Sequence, residues 1–99
     1  MGKKTFFIST AIPYVNAAPH IGHALEFVQA DVIARYRRLI GDDVFFLTGT
    51  DDNALKNVKS AAESGVPVQE FVDSNAERFK RLCAVLCVSN DDFIRTSID

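Results

Sequence analysis

Two short apolar runs separated by one helix-length segment constrain this chain more than any other feature. The first, Thr5-Phe6-Phe7-Ile8-Ser9-Thr10-Ala11-Ile12, is rich in β-branched and aromatic residues and is stopped by Pro13. The second is Val44-Phe45-Phe46-Leu47-Thr48. Both read as buried strands of a parallel sheet. Between them Ile21, Leu25, Val28, Val32, Tyr36 and Leu39 recur at steps of 4, 3, 4, 4 and 3, a helical stripe. A helix crossover between two strands makes them parallel and is almost always right-handed. The expectation is therefore a βαβ unit of an α/β sheet.

The segment Pro13-Tyr14-Val15-Asn16-Ala17-Ala18-Pro19-His20-Ile21-Gly22-His23 joins the first strand to the helix. A loop that leaves the C-terminal end of a strand and opens a helix is where open α/β sheets bind ligands. The free N–H groups and the helix dipole favour an anion there, so a phosphate is well placed. His20 and His23 fall three residues apart on the first turn and share one face. Gly22 carries no side chain and leaves room for a flat ligand such as a purine against the backbone. Parallel pairing brings Thr48-Gly49-Thr50-Asp51-Asp52-Asn53 to the same sheet end, and two polar loops at one edge mark a candidate site. Either Asp51 or Asp52 is expected to cap the helix beginning near Ala54, which leaves the other carboxylate available.

Arg35, Arg37 and Arg38 crowd the last turn of the first helix, where cations suit the dipole, and Gly41 is a natural stop. They read as a solvated helix end rather than an RNA contact. Ser64-Gly65 ends the second helix, and Pro67 starts a third. Its apolar stripe is Val68, Phe71, Val72, Ala76, Phe79, Leu82, Cys83 and Leu86. After a turn at Ser89-Asn90-Asp91-Asp92, Phe93-Ile94-Arg95-Thr96 reads as a short third strand. No linker or repeat divides the chain, so residues 1–99 read as one domain.

A net charge of −2 provides no global attraction to nucleic acid or to acidic membranes. No apolar run reaches the roughly 18 residues of a membrane span, and no signal peptide is evident, so a cytoplasmic location is expected. Cys83 and Cys87 are the only cysteines; with no further ligand nearby they read as free thiols, and no metal site is assigned.

Ala11-Ile12-Pro13-Tyr14-Val15-Asn16 followed by Pro19-His20-Ile21-Gly22-His23 resembles the HIGH signature of class I aminoacyl-tRNA synthetases. The lead-in Pro-Tyr-Val-Asn and Asp43-Val44-Phe45-Phe46-Leu47-Thr48-Gly49-Thr50-Asp51 resemble the methionyl branch of that family. The likeness continues through Glu77-Arg78-Phe79-Lys80 and Asn90-Asp91-Asp92-Phe93-Ile94-Arg95-Thr96. It implies a three-layer Rossmann-like (HUP-type) parallel sheet, of which this chain is the first half only, ending near the connective insertion.

The resemblance also implies ATP-dependent activation of methionine, with Mg²⁺ as counter-ion, and transfer of the methionyl group to tRNA(Met). On it, His20 and His23 are catalytic, binding the phosphates and stabilising charge on the α-phosphate. The ATP-binding set is Thr10, Pro13, Asn16, His20, Gly22 and His23; Ile12, Tyr14 and Asp51 bind methionine. Ile12 reads otherwise as plain strand core. No structural zinc is expected within this piece.

Two departures accompany the likeness. Asp52-Asn53-Ala54 stands where family members commonly have Glu-His-Gly, and neither a second signature loop with a catalytic lysine nor an anticodon-binding domain is present. The partners implied are therefore methionine, ATP, tRNA(Met) and the remainder of a synthetase chain, with no membrane. The isolated piece is expected to be inactive and to self-associate. The alternatives are a truncated domain without turnover, and a nucleotidylyltransferase. The latter also carries His-x-Gly-His after a first strand, but with a Gly-rich preceding loop unlike Pro13-Tyr14-Val15-Asn16.

Overall fold

A computed structural model describes residues 3–52 and 55–96. Its elements in chain order are β1 (Thr5–Ser9), α1 (Ile21–Leu39), β2 (Asp43–Thr50), α2 (Leu55–Ser64), α3 (Val68–Val85) and β3 (Asp92–Arg95). The strands form one parallel sheet in the order β1-β2-β3, with Phe7 opposite Phe45 and Thr48 opposite Phe93. This is the expected Rossmann-like arrangement, with three strands of it present.

Strand ends differ from the sequence expectation for identifiable reasons. β1 stops at Ser9 rather than at residue 12. Thr10 N–H still donates to Leu47 O at 3.2 Å, but the next amide, Ala11 N–H, donates to Glu26 Oε1 of α1 at 2.8 Å. That bond lifts the chain off the sheet, so Ile12 lies outside the strand, 36% exposed, and is not strand core. β2 runs on to Thr50 because β3 pairs with its last residues, Gly49 opposite Ile94. Only glycine fits there: a Cβ on Gly49 would lie 2.1 Å from the Ile94 carbonyl oxygen. The expected start of α2 at Ala54 lies outside the described residues.

The larger correction concerns α1. The expected apolar stripe faces solvent: Ile21 is 85% exposed, Leu25 and Val32 each 59%, and Leu39 85%. The buried face is instead Phe27, Ala30, Asp31 and Ala34, itself at helical spacing. Ala30 and Ala34 let the helix axis approach the sheet, where they meet Phe46 with Ile8 and Val44 at their side. Phe27 packs with Val15, Val72, Ala76, Phe79 and Cys83, which joins α1 to α3 over the same sheet face. Phe7 and Phe45 alternate to the other face, stacked with ring centroids 6.0 Å apart and about half exposed. The described residues thus provide one helical layer, on one side of the sheet.

The arginines at the end of α1 are not merely solvated either. Arg35 donates to Asp31 and to the carbonyl of Cys87, and Arg37 pairs with Asp42 and lies 4.4 Å over the Phe6 ring. Arg38 holds Ser89 by side chain and carbonyl, and also Asp91. These contacts fasten the α3–β3 connection to α1. Cys83 is buried and Cys87 exposed, both free; burial pushes the Cys83 thiol up to about 11. Among the described residues no helix is long and apolar enough to cross a membrane.

Candidate active site

The loop before α1 is anchored from inside. Val15 is fully buried in the core, and its carbonyl accepts a bond from the buried Asn75 amide of α3 at 2.8 Å. Its flanking residues are thereby held at the surface. Pro13, Tyr14, Asn16, Ala17, His20 and His23 line a concavity of about 380 Å³. A larger groove of about 490 Å³ lies between α3 and β3, bordered by Glu77, Lys80, Asp92 and Arg95, and it holds none of the expected site residues.

The two histidines close the start of α1 on themselves. His20 is the N-cap residue, and its Nδ1 accepts from Gly22 N–H at 3.0 Å; His23 Nδ1 accepts from His20 N–H at 3.1 Å. Two orphan donors of the first turn are satisfied by imidazoles where serine and glutamate usually serve. A backbone N–H only donates, so each Nδ1 must be unprotonated, and the proton of each neutral ring sits on Nε2. Gly22 has a local reason to be glycine: a Cβ there would lie 2.8 Å from His20 Cε1. The ring centroids are 4.0 Å apart, and Phe79 meets His23 edge-on at 4.9 Å. Burial, followed by the neighbouring His20, lowers the pKa of His23 against a smaller opposing pull from Glu26. The site therefore offers two neutral N–H donors at a helix N-terminus, a constellation suited to phosphate oxygens.

The second loop is tied to the first. Asp51 N–H donates to Pro13 O at 2.8 Å, and Tyr14 and Asp51 form a parallel bridge. Lys56 lies 5.2 Å over the Tyr14 ring. The adjacent carboxylates have different surroundings. The Asp52 side chain is fully buried, accepting from Thr50 Oγ1 at 2.7 Å and from Arg95 Nε at 2.8 Å, while Arg95 also binds Asp73. Asp51 is half-buried at the rim, which makes it the carboxylate better placed to meet a ligand. The cap expected of one of them falls on residues 53–54, outside the described set.

Of the expected ATP set, Pro13, Asn16, His20 and His23 border one concavity, with Gly22 beneath His20. Thr10 is 8% exposed, and its hydroxyl meets Thr48 Oγ1 at 2.6 Å, so it lies beneath the loops rather than facing outward. Tyr14 and Asp51 stand side by side, with Ile12 on the same loop. Sequence reasoning missed Glu26, Asn57, Asn75 and Thr96, which hold these loops. Asn57, 1% exposed, donates to Asp51 O at 2.9 Å. A polar residue in an otherwise apolar helix face was the available signal for Asn57 and Asn75.

Comparison with known proteins bears on what these loops serve. Residues 6–99 match the family described as tRNA synthetases class I (M). The chain belongs to that family. It is 48% identical over 97 residues to the methionine–tRNA ligase of Brucella suis, covering 98% of this chain and 19% of that protein. With the Thermotoga maritima methionine–tRNA ligase the identity is 53% over 92 residues, 93% of this chain and 15% of the relative. Among solved structures, Mycobacterium tuberculosis methionyl-tRNA synthetase in complex with methionyl-adenylate superposes with a TM-score of 0.93 at 48% identity, over 95% of this chain and 18% of that one. The chain thus spans under a fifth of the length of these relatives.

Proposed function

We propose that this segment forms the part of a methionine–tRNA ligase catalytic domain that binds ATP and methionine and positions them for adenylate formation. The observation that carries the reading is the junction of the two loops: a paired-imidazole helix start is bonded through Pro13 and Tyr14 to a strand end bearing Asp51. The family match and the likeness to a synthetase solved with methionyl-adenylate support it.

In this reading the Nε2–H groups of His20 and His23 donate to phosphate oxygens of ATP and stabilise the charge that develops on the α-phosphate as the methionine carboxylate attacks. Such chemistry needs little beyond alignment and fixed donors, since phosphoryl centres respond mainly to positioning and electrostatics. Pro13, Asn16 and Gly22 shape the nucleotide side, and Thr10 braces the strand end beneath it. Ile12 and Tyr14 border the methionine side chain, while Asp51 accepts hydrogen bonds from the ammonium, a charge-assisted contact. The charging of tRNA(Met) belongs to the complete polypeptide. Among the described residues no three His, Cys, Asp or Glu side chains are grouped to hold a metal ion. In this reading Mg²⁺ comes as the counter-ion of the triphosphate, and its charge would offset that of the phosphates.

The test is methionine-dependent ATP–pyrophosphate exchange by the complete polypeptide that carries these residues. His20→Ala or His23→Ala should lower the rate about 10²–10³-fold, the loss typical of one transition-state donor. Methionine affinity should stay within about twofold. Unchanged exchange in both variants would remove the phosphate assignment.

A further inference from the structure

Asn75 is an expensive residue for its place. It lies inside α3 on the buried face, 5% exposed, beside the buried Val72, Ala76 and Phe79 of the same helix. Asparagine is a weak helix former, and its amide can be buried cheaply only if it is bonded. Its Nδ2 donates to the Val15 carbonyl at 2.8 Å. Val15 is 0% exposed, so packing fixes its side chain while the bond fixes its carbonyl. Two fixed directions on one residue set the plane of the peptide that follows. No cis peptide occurs among the described residues, and in a planar trans peptide the N–H points opposite to the carbonyl. The Val15 carbonyl points at α3, so the Asn16 N–H points away from it. Asn16 lines the concavity of about 380 Å³ that His20 and His23 share, whereas no residue of α3 lines it. Among the described residues no acceptor meets the Asn16 N–H.

We propose that Asn75 is a positioning residue that turns the Asn16 backbone N–H into the concavity as a donor to a phosphate oxygen of ATP. This rests on the reading of the histidine loop as the phosphate site. Backbone N–H groups gathered around a hollow at a helix start suit an anion. The opposite orientation of the same peptide would set the Val15 oxygen, a partial negative charge, against the phosphates. Asn75 prevents that orientation by giving the oxygen a buried partner. Holding the peptide before ATP arrives also lowers the ordering cost of the complex.

The experiment measures ATP–pyrophosphate exchange by the complete polypeptide in two altered forms. Asn75→Leu keeps the bulk of the side chain and deletes its donor. The second form replaces the Asn16 N–H by an ester oxygen, which leaves every side chain and the core in place. Each should raise the ATP KM about tenfold, near the size of one hydrogen bond to a charged group, and leave the methionine KM within about twofold. Combined, they should cost no more than either alone, because both act through one donor. If Asn75→Leu does not fold, the ester form decides. An ester form with an unchanged ATP KM overturns the inference. So does an Asn75→Leu variant that raises both KM values alike, since that marks damage to packing. If neither form changes the ATP KM while His20→Ala slows exchange, the inference fails and the phosphate reading of the loop stands. If His20→Ala and His23→Ala are also without effect, that reading falls and takes the inference with it.

Discussion

The C-terminal edge of the sheet and its uncovered face are built in opposite ways. At the edge many polar groups of the described residues have partners: two imidazoles cap α1, Glu26 takes the Ala11 amide, and Asn75 takes the Val15 carbonyl. Arg95 and Thr50 hold Asp52 in the same region. On the uncovered face, and along the outside of α1, large apolar groups stand in water: Phe7 60% exposed, Tyr36 58%, Leu25 59%. Directional bonds, several of them between residues far apart in sequence, shape the edge. Burial of apolar area is non-directional and needs a second surface, and parallel sheets are normally covered on both faces. The candidate site is thus held by directional bonds, whereas the apolar groups around it lie exposed.

The sharpest way to break this contrast is to truncate a buried phenylalanine and, separately, two exposed ones. Phe79 is fully buried and touches both the core and His23. Phe79→Ala should cost about 3–5 kcal/mol, the range for deleting a buried aromatic ring. Phe7→Ser and Phe45→Ser should each change stability by no more than about 0.5 kcal/mol. They should instead reduce association of the 99-residue chain, since an exposed apolar sheet face is where copies would meet. Denaturant unfolding and light scattering on residues 1–99 measure the two effects. Equal destabilisation by Phe79→Ala and Phe45→Ser would mean that the uncovered face carries core packing after all.

A smaller effect is expected midway along α1, where Asp31 is 8% exposed on the sheet-facing side. Its Oδ1 accepts from Ser89 N–H at 2.7 Å and from the Ser89 hydroxyl, and its Oδ2 from Arg35 Nε at 2.8 Å. Burial raises the Asp31 pKa, but the Ser89 and Arg35 bonds outweigh it and the net shift is downward. A lowered carboxylate pKa adds stability that is present above the ordinary value near 4. It is lost as pH falls below that value and through the folded-state pKa. Asp31→Ala should cost about 1–3 kcal/mol by leaving the Ser89 amide without its acceptor. Arg35→Ala should cost under about 1 kcal/mol, because its side chain is 56% exposed. Thermal unfolding at neutral pH ranks the two, and the reverse order would place the stabilisation in the ion pair.

How much of this was legible beforehand divides along the same line. The strands were visible because Thr5-Phe6-Phe7-Ile8 and Val44-Phe45-Phe46-Leu47 are continuous apolar runs. The histidine loop was visible because its residues are neighbours in sequence. The face of α1 was misjudged because the stripe counted large residues, whereas the helix rests on Ala30 and Ala34, whose small side chains permit close approach. Large apolar groups left over then point outward. The partners of the braces were illegible for another reason. Thr96 lies 45 residues from Asp51, and Asn75 lies 60 from Val15, so each bond exists only once the sheet and α3 have assembled. Polar residues at such separation leave no periodic trace. The histidine capping box was hidden in plain view, since imidazoles seldom fill the places of serine and glutamate.

The smallest effect, and the most direct probe of the edge, is the pH dependence of that capping box. His23 Nδ1 can accept from His20 N–H only while unprotonated, and its pKa is lowered by burial first and by His20 second. Below its ordinary value of about 6.5 the unfolded chain binds a proton on His23 that the folded chain resists. The unfolded state then holds more protons, so stability rises with pH across this window. The contribution is complete above pH about 6.5, falls as the pH drops from there toward the lowered folded-state value, and changes no further below it. Asp31 and Asp73 titrate lower still, so they do not confuse the window. The melting temperature of wild type should therefore drop between pH 7 and pH 5, and that of His23→Gln should drop less. Nitrogen-detected NMR at pH 7.5 should show both rings protonated at Nε2. An Nδ1–H tautomer on either ring, or identical pH profiles for wild type and His23→Gln, would show that the imidazoles do not hold the start of α1.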